Sequence, residues 1–218
     1  MGRKVHPRSF RLGTIFTWDS MWFADKKRYK TLLLDDDTIR TALIKKLKSA
    51  GIARVGIERS INTVDVILHV ARPGMVIGRS GQGLDQLKKF VEELVHKSSG
   101  NTTVKVDLKV EQVKEPNLDA TLVASNIADQ IERRIPHKRA IMQSMEKVMG
   151  AGAKGVKIML AGRINGAEIA RREKYHQGEV PLSTIRENVD FCSHPALTKS
   201  GYVGVKVWIC RPQTGQSK

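Results

Sequence analysis

The stretch that most constrains this chain runs from Arg72 to Phe90, RPGMVIGRSGQGLDQLKKF. An alternating apolar run, Val64, Val66, Leu68 and Val70, leads into it. The spacing of Leu84, Leu87, Val91, Leu94 and Val95 predicts an amphipathic helix leading out. Between them stands Gly78-Arg79-Ser80-Gly81. Glycine adopts positive φ and, lacking a Cβ, lets another backbone come close. At a helix N-terminus such a loop offers free N–H groups to a phosphate, and Arg79 adds a charge. Two glycines at this spacing are a weak signal alone. Placed after a strand and before a helix, they read as a clamp for a phosphate backbone.

Charge says what such a clamp would hold. Lys and Arg outnumber Asp and Glu by 38 to 22 in 218 residues, a formal charge of +16. An excess of this size calls for a polyanionic partner, nucleic acid or an anionic membrane surface. The 40% apolar content excludes a disordered polycation, and the length allows one large or two small domains. No window reaches the apolar length of a membrane-spanning helix, and the N-terminus shows no signal-peptide core. Met1-Gly2 is followed by His6 where a myristoylation motif needs Ser or Thr. No membrane partner is expected.

Cys192 and Cys210 form no CxxC pair and read as small core residues in a reducing compartment. Cys192-Ser193-His194 has too few ligands for a metal site. No GxxxxGK[ST], GxSxG or HExxH pattern occurs, so no catalytic residue, cofactor or metal is expected.

Residues 1–30 form a basic arm with Trp18, Trp22, Phe23 and Tyr29 among its cations. These rings either stack on bases or pack on the domain that follows. Asp35-Asp36-Asp37 predicts a helix start, the helix running to about Ala50 with Gly51 as its stop. Ile52 to Arg59 and Asn62 to Val70 read as a hairpin. The glycine loop, a helix to about Lys97, a break at Ser98 to Asn101 and a strand over 104–111 complete a unit assigned to residues 31–112. A GxxG loop in this setting is the backbone clamp of a KH domain.

Pro116 marks the boundary to a second unit, residues 113–211. It begins with a helix from Leu118 to Arg134 and a helix opened by Pro136. Strands follow at 156–160, 187–191 and 202–210, with an arginine-bearing loop from Gly162 to Arg172 before the last two. Residues 212–218 form a polar tail. The fold class is α+β: a KH domain, then two helices on a mostly antiparallel sheet.

The motifs together resemble one family over almost the whole chain. Met1 to Pro7 with Arg11-Leu12-Gly13 matches its opening. So do Arg72-Pro73-Gly74, the Val76 to Gly81 loop, Leu118-Asp119-Ala120 and Ile131 to Arg134. Gly152 to Lys157, Gly166 to Arg171, Val180-Pro181-Leu182 and Gly204 to Ile209 complete the series. Singly weak, in this order and spacing they resemble the bacterial small-subunit ribosomal protein S3 family.

That resemblance implies a type II KH domain and a place in the small-subunit head, in the cytoplasm. The partners it implies are small-subunit ribosomal RNA, messenger RNA and ribosomal proteins ten and fourteen. It also implies a role at the entrance channel for messenger RNA, where basic residues help to open structured messages. The channel residues fall on Arg134, Lys138 and Arg139, and Met142 stands where many members carry a third cation. Gly78, Arg79, Ser80 and Gly81 are the RNA-binding loop. Lys4, Arg11, Arg163, Arg171 and Arg172 are assigned to ribosomal RNA, since the arginine fork suits phosphate. Two other readings compete: a free KH-type RNA chaperone or transcription factor, and a lyase acting through a lysine amine. The basic first thirty residues and the second-unit match oppose the former. The lack of any metal cluster or paired-carboxylate motif opposes the latter.

Overall fold

Pro7 at the first helical turn and a cap from the His6 ring to the Ser9 N–H start one turn of helix, α1 (Pro7–Phe10). The computed structural model describes residues 4–60, 62–99 and 105–212, with the side chains of Ser80 and of residues 97–99 left out. Of the break expected over Ser98 to Asn101, Ser98 and Ser99 are helical, while Gly100-Asn101, the first residue of the strand expected over 104–111 and the tail beyond Pro212 lie outside the described residues. The chain forms two compact units: Trp18–Lys114, and the stretch up to Thr17 together with everything from Glu115 on. The basic N-terminal stretch is thus divided between them.

The unit from Trp18 contains β1 (Ser20–Met21), α2 (Lys26–Lys46), β2 (Ile52–Arg59), β3 (Thr63–Val70), α3 (Pro73–Ile77), α4 (Gln82–Ser99) and β4 (Lys105–Gln112). Its sheet runs β1-β2-β3-β4. The β2–β3 pair is an antiparallel hairpin, while β3 and β4 are parallel and need the α3–α4 crossover. Val64, Val66, Leu68 and Val70 point to the core, against Ile39 and Leu43 of α2 and Leu87, Val91 and Val95 of α4. The period of two in β3 and near four in α4 is therefore the core itself.

Two expectations fail here. Asp35-Asp36-Asp37 does not start α2, which begins ten residues earlier behind Asp25 and runs through all three. Asp36 is buried and accepts from Ser20 Oγ (2.8 Å), Trp22 Nε1 (2.7 Å) and Arg59 Nε (2.8 Å). A carboxylate with that many internal donors has no call for a helix terminus. The glycine loop, in turn, does not follow a strand directly. Pro73 opens the short α3, so the loop joins two helices.

The other unit contains α1, α5 (Ala120–Glu132), α6 (His137–Gly150), β5 (Gly155–Gly162), β6 (Arg171–Gly178), β7 (Val189–Thr198) and β8 (Gly201–Cys210). Its sheet, ordered β6-β5-β8-β7, is antiparallel throughout. Ile127 of α5, with Ile141 and Val148 of α6, closes over Ile158, Leu160, Val205 and Ile209. Asp119 caps α5 by accepting from the Thr121 and Leu122 N–H groups. The stretch from Arg171, expected as the end of a loop, starts strand β6 instead. Every residue of this edge strand is at least partly exposed, so it carries no apolar alternation to read.

Candidate nucleic-acid interface

The glycine loop forms at the α3–α4 junction. Gly78 has φ 69° and ψ −172°, and Gly81 has φ 79°, conformations a side chain would strain. A Cβ on Gly83, just beyond, would lie 2.7 Å from the Val76 carbonyl oxygen, so the two helices meet backbone to backbone. Arg79 is exposed on the single turn Arg79–Gly81, which leads into α4. In the same unit the aromatics split. Trp22 packs on Tyr29 at 5.3 Å between ring centres and donates to Asp36, while Trp18 and Phe23 are 67% and 95% exposed.

The second basic surface is built on α6. His137, Ala140, Ile141, Ser144, Met145 and Val148 form its buried face. Lys138, Arg139 and Met142 are exposed beside one another on the other. No ion pair among the described residues engages Lys138 or Arg139. Lys147 is five residues beyond Met142, about 140° around the helix, and does not take its place.

His137 fixes the angle at which this helix starts. Its Nδ1 lies 2.9 Å from Asn165 Oδ1 and its Nε2 2.9 Å from Glu173 Oε2. Glu173 also accepts from Tyr175 Oη (2.7 Å) and Arg171 Nε (2.7 Å). The Tyr175 bond, followed by His137 and Arg171, holds the Glu173 carboxyl below its usual range. Burial and the same carboxylate push the Tyr175 hydroxyl up to about 12. One polar knot thus ties α6 to the Ile164–Gly166 turn and to β6.

That knot brings together residues far apart in sequence. Arg134 and Arg163 line one cleft of about 560 Å³, joined there by Lys199 from the β7–β8 turn. Arg163 donates to the Ala167 carbonyl at 2.8 Å through Nε and is exposed. Arg171 is paired with Glu173, and Arg172 beside it is exposed with no ion-pair partner among the described residues. Sequence reasoning missed Lys199, although Lys199-Ser200-Gly201 reads as a turn, and missed the His137–Glu173 link, which no spacing announces.

The N-terminal residues part company. Lys4 is exposed and depresses the Lys157 ammonium, whose largest influence is burial. Arg11, assigned to ribosomal RNA, is corrected. It is 0% exposed and donates to the carbonyls of Pro7, Pro181, Leu182, Thr184 and Glu187 at 2.6–3.3 Å. A guanidinium used up in this way has nothing left for a phosphate. Among the described residues no His, Cys, Asp and Glu group could hold a metal ion, and no helix is long and apolar enough to cross a membrane.

Comparison with known proteins supplies the class. The model for the KH domain matches residues 38–118, and that for "Ribosomal protein S3, C-terminal domain" matches residues 127–209. These matches define an RNA-binding ribosomal protein. The small ribosomal subunit protein uS3 of Caldicellulosiruptor saccharolyticus is 46% identical over 219 residues, covering 99% of this chain and 96% of its own. That of Methylacidiphilum infernorum is 48% identical over 213 residues, covering 98% and 97%. The chain belongs to the uS3 family, ribosomal protein S3.

Proposed function

We propose that this chain, as a structural member of the small ribosomal subunit in the cytoplasm, lines the entrance channel for messenger RNA. There it grips the incoming strand through Lys138 and Arg139, with Arg134 beside them. The observation that carries this reading is the first turn of α6. Its inward residue, His137, is pinned on both ring nitrogens, while the next two residues are exposed cations outside any described ion pair. Charges mounted on a pinned helix stay aimed while RNA moves past them. Phosphate contacts ignore sequence, which suits a channel that accepts every message. The driving force is the ribosome's translocation; the protein breaks no covalent bond.

Lys4, Arg163, Arg171 and Arg172 are proposed contacts to ribosomal RNA, with proteins ten and fourteen as neighbours. The Gly78–Gly81 loop adds a further RNA-facing surface. The division of labour follows residues 31–112 and 113–211. In a reconstituted translation system, Lys138→Ala with Arg139→Ala is expected to slow passage through hairpins at least threefold and to spare unstructured messages. Equal rates on both templates would remove the assignment.

A further inference from the structure

The cleft beside α6 has features that a grip through Lys138 and Arg139 does not use. Among the described residues, the two non-glycine residues at positive φ are Arg134 (62°) and Asn165 (56°), and both line it. Arg134 occupies the position after the α5 cap. The Ile135 N–H reaches the Gln130 carbonyl (3.0 Å) and the Arg134 N–H the Ile131 carbonyl (2.9 Å). This is the Schellman ending, in which glycine is the unstrained choice at the position Arg134 fills. The strain places a guanidinium where the fold alone would take a hydrogen atom.

Arg163 and Lys199 line the cleft as well, so three cations from three separate loops share one opening. The lining has an apolar part: Ile131 and Ile135, both half-buried, and the buried Leu160 and Ile164. The one acidic lining residue, Glu132, is engaged by the Leu197 N–H at 3.2 Å. A volume of about 560 Å³ lies within the ~300–1,000 Å³ of ligand pockets.

We infer that this cleft receives a single unstacked nucleotide of RNA, its base against the apolar wall and its phosphate between Arg134, Arg163 and Lys199. The chemistry selects that occupant. A flat apolar body carrying a phosphate matches an apolar wall with a cationic rim, and proteins that read RNA take up bases splayed out of helices. Asn165, with its amide in the same cleft, adds a group that can address a base edge. The inference rests on the RNA-binding reading of this family, and not on Lys138 and Arg139 facing messenger RNA.

The test uses the full chain and adenosine 5′-monophosphate as probe, followed by amide NMR. Shifts centred on residues 131–137, 163–166 and 197–203, with adenosine binding about tenfold more weakly, are expected. Arg134→Gly is the informative variant: it removes the positive-φ penalty, so it should unfold at the same or a higher temperature while binding the nucleotide about tenfold more weakly. Arg163→Ala should weaken binding comparably. Absence of shifts at these residues at millimolar nucleotide, or unchanged affinity in Arg134→Gly, overturns the inference. So does an acidic peptide that shifts the same residues when the nucleotide does not. Filter binding of a small-subunit ribosomal RNA fragment, run alongside, separates the two readings. Intact RNA affinity with a silent cleft sinks only the cleft, and failure of the Lys138 and Arg139 variant on hairpins leaves the cleft standing.

Discussion

Arg11 Nε lies 2.6 Å from the carbonyl oxygen of Glu187, a residue 176 positions along the chain, and it is one of five such bonds. A buried guanidinium that satisfies five carbonyls makes a structural joint. Arg11→Met is expected to destabilise the protein by roughly 2–4 kcal/mol, because the carbonyls lose a charged donor and gain no water. Arg11→Lys should recover little, since an ammonium has no planar fork to span them. Denaturant unfolding measures the loss, and a loss under about 1 kcal/mol would contradict the joint. The salt dependence of RNA binding by the folded variant should match that of the parent, which an RNA-contacting arginine would not allow.

Glu173 gives the acid limb of stability a definite sign. Its carboxyl is held below the usual 4.5, first by Tyr175 and then by His137 and Arg171. A lowered folded value means that the contribution is present above about pH 4.5 and is lost as pH falls through the folded value. Asp119 has the opposite sign, its carboxyl being raised by burial and by Asp190. The informative quantity is therefore the difference in melting temperature between the parent and Glu173→Gln. That difference should be largest near neutrality and shrink below about pH 4.5. A difference flat down to pH 3 would show that Glu173 carries no such linkage.

The thiols should be quiet in the native protein. Burial pushes Cys192 up to about 11, and burial followed by Glu187 raises Cys210. At pH 8 only about one Cys192 in a thousand would be thiolate, the reactive form. Ellman's reagent should modify Cys192 and Cys210 at least about a hundredfold more slowly in the folded protein than in denaturant. Rapid native modification of either would contradict the burial.

What could be read in advance follows from what each residue does. Val64 to Val70 and Leu87 to Val95 announce their elements because the core demands a period, and the sequence shows periods well. The same holds for the Gly78–Gly81 loop, whose backbone requires glycine at fixed places. Asp36 misleads because a carboxylate that caps a helix and one that gathers Ser20, Trp22 and Arg59 look alike in one dimension. Strand β6 is unreadable for the opposite reason: this edge strand turns only Glu173 and Tyr175 partly inward, and its other residues are exposed, so it shows no apolar alternation. Arg11 and Arg163 are both single arginines near small residues, yet one is a buried tie and the other lines an open cleft. Only the partner brought in from a distant loop separates them. The cleft depends on three such loops, so its members had no shared signature along the chain.

The Arg11 joint also imposes an order on synthesis. Its carbonyl partners at 181–187 are made 170 to 176 residues after it, which at ~5–20 residues per second is a wait of roughly 10–35 s. The unit from Trp18 to Lys114 is complete long before then and can fold while the α1 segment still lacks its partners. Each nascent chain therefore carries a basic, unanchored leading segment until the β6–β7 connection leaves the ribosome that is making it.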